Sequence, residues 1–394
     1  MSLLLAAFAA AASQSACARE ICNFEALRPV ADPLGRGESV HILQLGDSHT
    51  AGDAITGPLR RLLQLRSGAG GRGVLPPGRP YPGYLTFGVT ASQSEGWTAS
   101  SILGRGYPGI RPVGLSGYTL TSTRPGSSLG IAADDDANRF DRVTVCALKE
   151  PGAGSVRIEI GGTRQLWPLD SPRREPACRS FESDAPAGAA SLATEDAGPV
   201  SITSLATGTR TGGVRLSNLG VRGSRLVHQA RQHDAVVRAE LEAYAPALIV
   251  LAFGTNEGFA PDFDAAVYES QLRVGIARIR RLAGRAVPIL LIAPPDAATR
   301  NLAIAANGDR RVAVCAPGVF VPSALASVRD RQRRVAADLG LAFWDAHAAM
   351  GGACSSLGWS ALGWMRQDLV HFTRAGGERI AFALGAALAR GEGR

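Results

Sequence analysis

The sequence predicts an α/β fold, a parallel sheet covered by helices on both faces and interrupted by an inserted β-rich stretch. Three observations point there. Residues 247–253 and 287–292 are near-continuous apolar runs, as strands buried on both faces require. From residue 213 onward such runs alternate with helical periodicity, the pattern of a sheet wound by crossovers. Between about residues 95 and 212 no convincing helix can be read, and short strand-like segments follow one another instead. With 394 residues the chain has room for two domains of ordinary size.

Taken in order, residues 41–45 read as the first strand, with Ser48 just beyond its C-terminal end. Residues 54–65 read as a helix, because Ile55, Leu59, Leu62 and Leu63 recur at helical spacing. Glycine and proline crowd residues 68–82, which predicts a loop. Residues 142–148 and 155–160 alternate apolar with polar and are joined by Glu150-Pro151-Gly152-Ala153-Gly154, so they are expected to form an antiparallel hairpin. Residues 165–169 and 201–205 add further strand candidates. The α/β pattern returns with a strand at 213–218, a helix over 226–244, the buried strand 247–253 and a helix over 262–282. After the strand 287–292 come a helix over 328–339, a strand at 342–345 and a last helix over 374–389.

Three short motifs carry the chemistry. Gly46-Asp47-Ser48-His49 follows the first strand, Gly254-Thr255-Asn256-Glu257 follows the strand 247–253, and Asp368-Leu369-Val370-His371 lies near the end. Serine is a poor nucleophile alone; it needs a histidine to take its proton and a carboxylate to orient that histidine. Ser48, His371 and Asp368 are the candidates for these roles. The bland alternatives are a serine capping the next helix and a surface Asp/His pair. Of the other histidines, His41 lies within a strand, His228 and His233 fall on a polar helix, and His347 follows the last strand. His49 adjoins Ser48 and is expected to flank the pocket at most, since neighbouring side chains point apart. Asp47 and Glu257 are expected to bond backbone in the loops.

With Asn218-Leu219-Gly220-Val221-Arg222-Gly223 as a fourth block, the set resembles the SGNH hydrolases, the GDSL esterase/lipase superfamily. The resemblance covers roughly residues 39–90 and 213–390. It implies a flavodoxin-like, three-layer hydrolase with its site at the strand C-termini. It also implies an oxyanion hole built from the Ser48 and Gly223 amides and the Asn256 side chain, with Gly220 the rival to Gly223. The expected division is a signal-like segment at 1–18, a discontinuous hydrolase domain at 39–90 and 213–394, and an inserted β-rich domain at 91–212. The extended block Gln44-Leu45-Gly46-Asp47-Ser48-His49-Thr50-Ala51-Gly52-Asp53, with Gly70-Gly71-Arg72-Gly73, is similar to the branch that includes peptidoglycan O-acetylesterases. That branch carries an inserted β-sandwich resembling a carbohydrate-binding module. The expected function is therefore removal of O-acetyl groups from a carbohydrate polymer, peptidoglycan above all. The alternatives are a lipase or thioesterase acting on longer acyl chains and a non-catalytic carbohydrate-binding or assembly protein.

Composition bounds the partners. The formal net charge is +8 and arginine provides the excess, which suits an acidic polymer. No long basic run or nucleic-acid motif is present, so no nucleic-acid partner is expected. The N-terminal segment is apolar and ends in Ala16-Cys17-Ala18, like an export signal without its charged start. No other stretch is long and apolar enough to predict an integral membrane segment. A periplasmic or extracellular location fits the six cysteines, most simply paired as Cys17 with Cys22, Cys146 with Cys178, and Cys315 with Cys354, although fifteen pairings are open. No metal or other cofactor is implied, and the chain is expected to act as a monomer.

Overall fold

The structure is a computed structural model and describes residues 21–103, 111–306 and 312–392. The signal-like segment 1–18, with Cys17, lies outside them. Strand β1 (Val40–Gly46) opens the parallel sheet. The chain then runs through β2 (Gly73–Leu75), β3 (Val89–Gln93), β4 (Thr98–Ser101), β5 (Tyr118–Ser122), β6 (Ser128–Ala133), β7 (Phe140–Lys149), β8 (Ser155–Ile160), β9 (Thr163–Pro168), β10 (Glu175–Ala187), β11 (Ala189–Thr194) and β12 (Val200–Gly208). It returns to the parallel sheet with β13 (Val214–Gly220), β14 (Leu248–Ala252) and β15 (Ile289–Ile292). After a small ribbon, β16 (Ala313–Ala316) with β17 (Val319–Val321), β18 (Ala342–Trp344) completes it.

The parallel sheet has the order β13-β1-β14-β15-β18, the flavodoxin-like arrangement. Period-2 alternation divides its core in two. Leu43 and Leu45 of β1 face the helices Asp234–Tyr244, Ala265–Ala283 and Ser323–Asp338. Val40 and Ile42 face the helices Arg28–Gly35, Thr56–Ser67 and Arg374–Glu392. This makes three layers. The chain leaves β1 for one neighbour, β13, and reaches the other, β14, only later. A crevice opens at such a switch point, beyond the carboxyl ends of the strands. Ser48 follows β1 and Asn256 follows β14, so both motifs border that crevice.

The sheet-rich region forms two antiparallel sheets, β10-β7-β12-β5-β4 with β2 added to β12, and β3-β6-β11-β8-β9. Between them lies an apolar core that includes Phe140, Val145, Ile158, Trp167, Phe181 and Leu192. The hairpin expected from 142–148 and 155–160 is not formed. β7 pairs with β10 and β12, whereas β8 pairs with β9 and β11. Both strands do alternate, but each turns its apolar face to the same core from opposite sides. The linker therefore crosses between sheets and is held by Glu150, whose carboxylate meets Arg111 and Arg174. Three residues read as loop, β2, also join this sandwich. Among the described residues no α-helix interrupts 95–212; Asp136–Asn138 is a single 3₁₀ turn.

Helix limits shift where local chemistry intervenes. The segment 226–244 splits into a 3₁₀ turn (Leu226–Arg231) and the helix Asp234–Tyr244, because Gln232 and His233 are extended. The helix expected from 262 starts at Ala265, where the Asp264 carboxylate caps the amides of Ala266 and Val267. The helix expected at 328 begins earlier, at Ser323 after Pro322. Disulfides join Cys146 to Cys178 across β7 and β10, and Cys315 to Cys354. Among the described residues no helix is long and apolar enough to cross a membrane.

Candidate active site

Ser48 opens a helical turn, Ser48–Ala51, capped by Asp47, whose Oδ1 accepts the His49 amide at 2.9 Å. The first amides of a helix have no partner within it, so the Ser48 N–H is left unpaired by its own helix. Ser48 Oγ lies 3.0 Å from His371 Nε2, and His371 Nδ1 lies 2.9 Å from Asp368 Oδ2. The other Asp368 oxygen accepts the amides of Val370 and His371, each at 2.9 Å. Partial burial pushes the Asp368 carboxyl up, but those amides and the imidazole outweigh it and hold it below its usual range. A carboxylate so placed assigns the His371 proton to Nδ1 and leaves Nε2 to accept from the serine hydroxyl. Between the two residues Leu369 is buried with φ +58°, a left-handed conformation that a branched side chain rarely adopts. Such strain persists where surrounding structure enforces it, and here it brings Asp368 back onto His371.

Gly220 and Gly223 differ in a way the sequence did not decide. Gly220 ends β13 against the Ser48–Ala51 turn; a Cβ there would collide with the Ala51 nitrogen. Its amide already donates to Asn218 Oδ1 at 3.2 Å. Gly223 sits exposed in the turn closed by the Ser224 amide on the Val221 carbonyl, with φ +77° as the third position of a type II turn needs. Asn256 Nδ2 donates one proton to the Ser224 carbonyl at 3.0 Å, which ties it to that turn and leaves its second N–H for another acceptor. Glu257 accepts the Leu226 amide, and burial pushes its carboxyl up to about 7.

His49 lines the cleft, as expected, but its side chain does not point apart from that of Ser48. Ser48 and His49 lie on a helical turn rather than a strand, so consecutive side chains are rotated by about 100° and can both reach the 368–371 loop. The His49 ring stacks on His371 with centroids 5.6 Å apart, and its Nε2 lies 2.8 Å from the Val370 carbonyl. Burial pulls the His49 imidazole down, but the Asp47 carboxylate, the Val370 carbonyl and the Asp368 charge outweigh it and hold it above its ordinary value. The helical reading of residues just past the first strand was the one signal that could have placed it. His41, His228 and His347 are elsewhere: His41 bridges the Tyr244 carbonyl and Ser217 Oγ inside the fold, His228 accepts the Arg225 amide, and His347 lies 3.8 Å from Asp296.

A cleft of about 300 Å³ opens over Ser48 and His371, walled by Tyr81, Leu85, Phe87 and the three arginines Arg222, Arg366 and Arg374. Among the described residues no cluster of metal-ligating side chains is found. The arrangement can deliver a serine oxygen to a carbonyl and remove its proton along one line of hydrogen bonds.

Residues 194–379 match the GDSL-like lipase/acylhydrolase family, a span holding Gly223, Asn256, Asp368 and His371. A solved structure described as a peptidoglycan O-acetylesterase in action is 26% identical, with 95% of this chain and 96% of that one covered and a TM-score of 0.73. A family two carbohydrate esterase from Clostridium thermocellum, solved with cellohexaose, is 13% identical over 75% of this chain and 98% of its own, at a TM-score of 0.33. No curated protein sequence matches. The chain carries a GDSL-like lipase/acylhydrolase domain in an SGNH hydrolase fold and is a carboxylic ester hydrolase.

Proposed function

We propose that the protein is an exported serine esterase that removes O-acetyl groups from a carbohydrate polymer, peptidoglycan in the first place. The observation that carries the mechanism is the unbroken chain from Asp368 through His371 to Ser48 Oγ. Ser48 attacks the acetyl carbonyl while His371 Nε2 takes its proton, and the Asp368 carboxylate stabilises the imidazolium that forms. The tetrahedral oxyanion is received by the amides of Ser48 and Gly223 and by Asn256 Nδ2. Gly223 is preferred to Gly220 because the Gly220 amide is already engaged. His371 then gives that proton to the sugar oxygen as the C–O bond breaks, so the sugar leaves as the free hydroxyl. Water, activated by the same imidazole, attacks the acetyl-Ser48 ester and releases acetate.

The polymer reading is supported by likeness to the peptidoglycan O-acetylesterase structure over nearly the whole chain. Two disulfides are consistent with an oxidising compartment. The region assigned to residues 91–212, with the strands it recruits from just before, is proposed to position the polymer beside the cleft. The test is acetate release from O-acetylated peptidoglycan, set against hydrolysis of p-nitrophenyl acetate and a long-chain p-nitrophenyl ester. Acetate release with preference for the short ester is expected. Preference for the long ester would favour a lipase, and no turnover of any ester would leave only a binding protein.

A further inference from the structure

The wall of the catalytic cleft carries three guanidinium groups, and none of the residues lining it is acidic. Asp368, close by, is committed to His371. Two of the three arginines stand at the catalytic elements themselves. Arg222 immediately precedes Gly223 in the exposed turn after β13. Arg366 flanks the other side of the chemistry, its amide donating to the His371 carbonyl at 2.8 Å. Among the described residues neither guanidinium meets a carboxylate, whereas Arg374 has Glu378 at 3.4 Å. Arg222 lies 6.0 Å over the Tyr81 ring. A guanidinium beside an aromatic ring, not paired with a carboxylate, has its N–H fork available to a planar acceptor with two oxygens.

Unpaired like charges converging on one cleft raise the local potential and cost repulsion unless an anion joins them. We propose that the cleft is a binding site for an anionic substrate, in which Arg222 and Arg366 take a carboxylate that the substrate carries next to the scissile acyl ester. The inference rests on the O-acetyl ester reading and deepens it: the favoured polymer is one whose acetylated sugar neighbours a free carboxylate. Arg–carboxylate recognition is bidentate and charge-assisted, so it distinguishes an acid from its amide of the same shape. The carboxylate also places the ester carbonyl, because Arg222 is covalently next to Gly223 and Arg366 is bonded to His371.

The experiment compares kcat/KM for 4-acetoxybenzoate and 4-acetoxybenzamide, two acetyl esters differing in one charge, in the wild type and in Arg222→Ala/Arg366→Ala. The wild type is expected to prefer the acid by about tenfold, the lower end of the usual value for a hydrogen bond to a charged group, and to lose that preference as salt is raised. The double variant, with folding checked by its melting curve, is expected to show a ratio near unity. A wild-type ratio near unity overturns the proposal, and so does a double variant that keeps the preference. The same pair of enzymes is then given O-acetylated peptidoglycan before and after carbodiimide amidation of its carboxylates. Amidation should slow the wild type and leave the variant unaffected. If peptidoglycan yields no acetate while the small acid is still preferred, the polymer reading fails and the anion site stands.

Discussion

Replacing Asp368 by asparagine should disable the enzyme even though the shape is kept. Asp368 Oδ1 accepts two amides at 2.9 Å, and an asparagine would keep its carbonyl oxygen there. Its NH₂ would then face His371 Nδ1, now 2.9 Å from Oδ2. A donor at that place forces Nδ1 to accept and moves the ring proton to Nε2. There it points at Ser48 Oγ and cannot take the serine proton. Undoing this tautomer breaks a hydrogen bond, at about 1–3 kcal/mol. The imidazolium also loses its counter-charge. The two side chains are 38% and 45% exposed, so the screened value lies between about 1 kcal/mol in water and about 4 kcal/mol near a protein surface. Together, at about 2–7 kcal/mol, these predict a fall in kcat of about 30- to 10⁵-fold on p-nitrophenyl acetate. Asp368→Ala leaves the tautomer free, so asparagine should be no better than alanine. If Asp368→Asn stays within tenfold of wild type while Asp368→Ala is inactive, Asp368 merely shapes the loop.

Ser48→Ala should lower esterase turnover below about a percent of wild type, and a fluorophosphonate probe should label the wild-type protein at Ser48 alone; label elsewhere would displace the assignment. Asn256→Ala should lower kcat by about 10²–10³-fold with little change in KM, and an effect confined to KM would place Asn256 on ground-state substrate. His49→Phe keeps a ring against His371 but loses the bond to the Val370 carbonyl; a fall in kcat of about tenfold without a matching change in melting temperature would show that His49 positions the loop. Stability should fall on acidification because burial, helped by the Arg215 charge, holds His41 down to about 3. An unfolded His41 takes its proton near pH 6.5 and the folded one does not, so stability is lost as pH falls below 6.5, by about 2–3 kcal/mol at pH 4.5. Urea midpoints at pH 7 and 4.5 read this, and His41→Gln should flatten the difference; an unchanged slope in that variant would refute it.

The sequence made the parallel sheet legible because its strands are buried on both faces and so carry uninterrupted apolar runs, such as 248–252. That Ser48, His371 and Asp368 come together was legible because each sits in a short motif whose spacing is chemical rather than structural. What escaped has a common physical origin. Alternation says which face of a strand is buried but not which strand lies beside it, so β7 and β8 looked like partners when they oppose each other across a core. The role of His49 depended on whether two residues beyond a strand turn helical, a choice made by the Asp47 cap. Gly220 and Gly223 could be told apart only by what surrounds them, a backbone contact for one and an open turn for the other.

The placement of the sandwich between β1 and β13 has a consequence for how the molecule is made. These neighbours in the parallel sheet pair Val40 with Val214 and Gly46 with Gly220, although the whole sandwich separates them in sequence. If that region were unfolded, bringing the two strands together would cost on the order of 4–5 kcal/mol in chain entropy. Folded, it presents its ends already joined: the Gly70 amide bonds the Val214 carbonyl at 3.0 Å, and the Val214 amide bonds the Gly68 carbonyl at 2.9 Å. The sandwich therefore acts as a pre-tied loop, so that assembly of the Val221–Ser224 turn beside Ser48 waits on its completion. A lesion deep in its core, far from any catalytic atom, should slow the appearance of activity during refolding more than it lowers the activity finally reached.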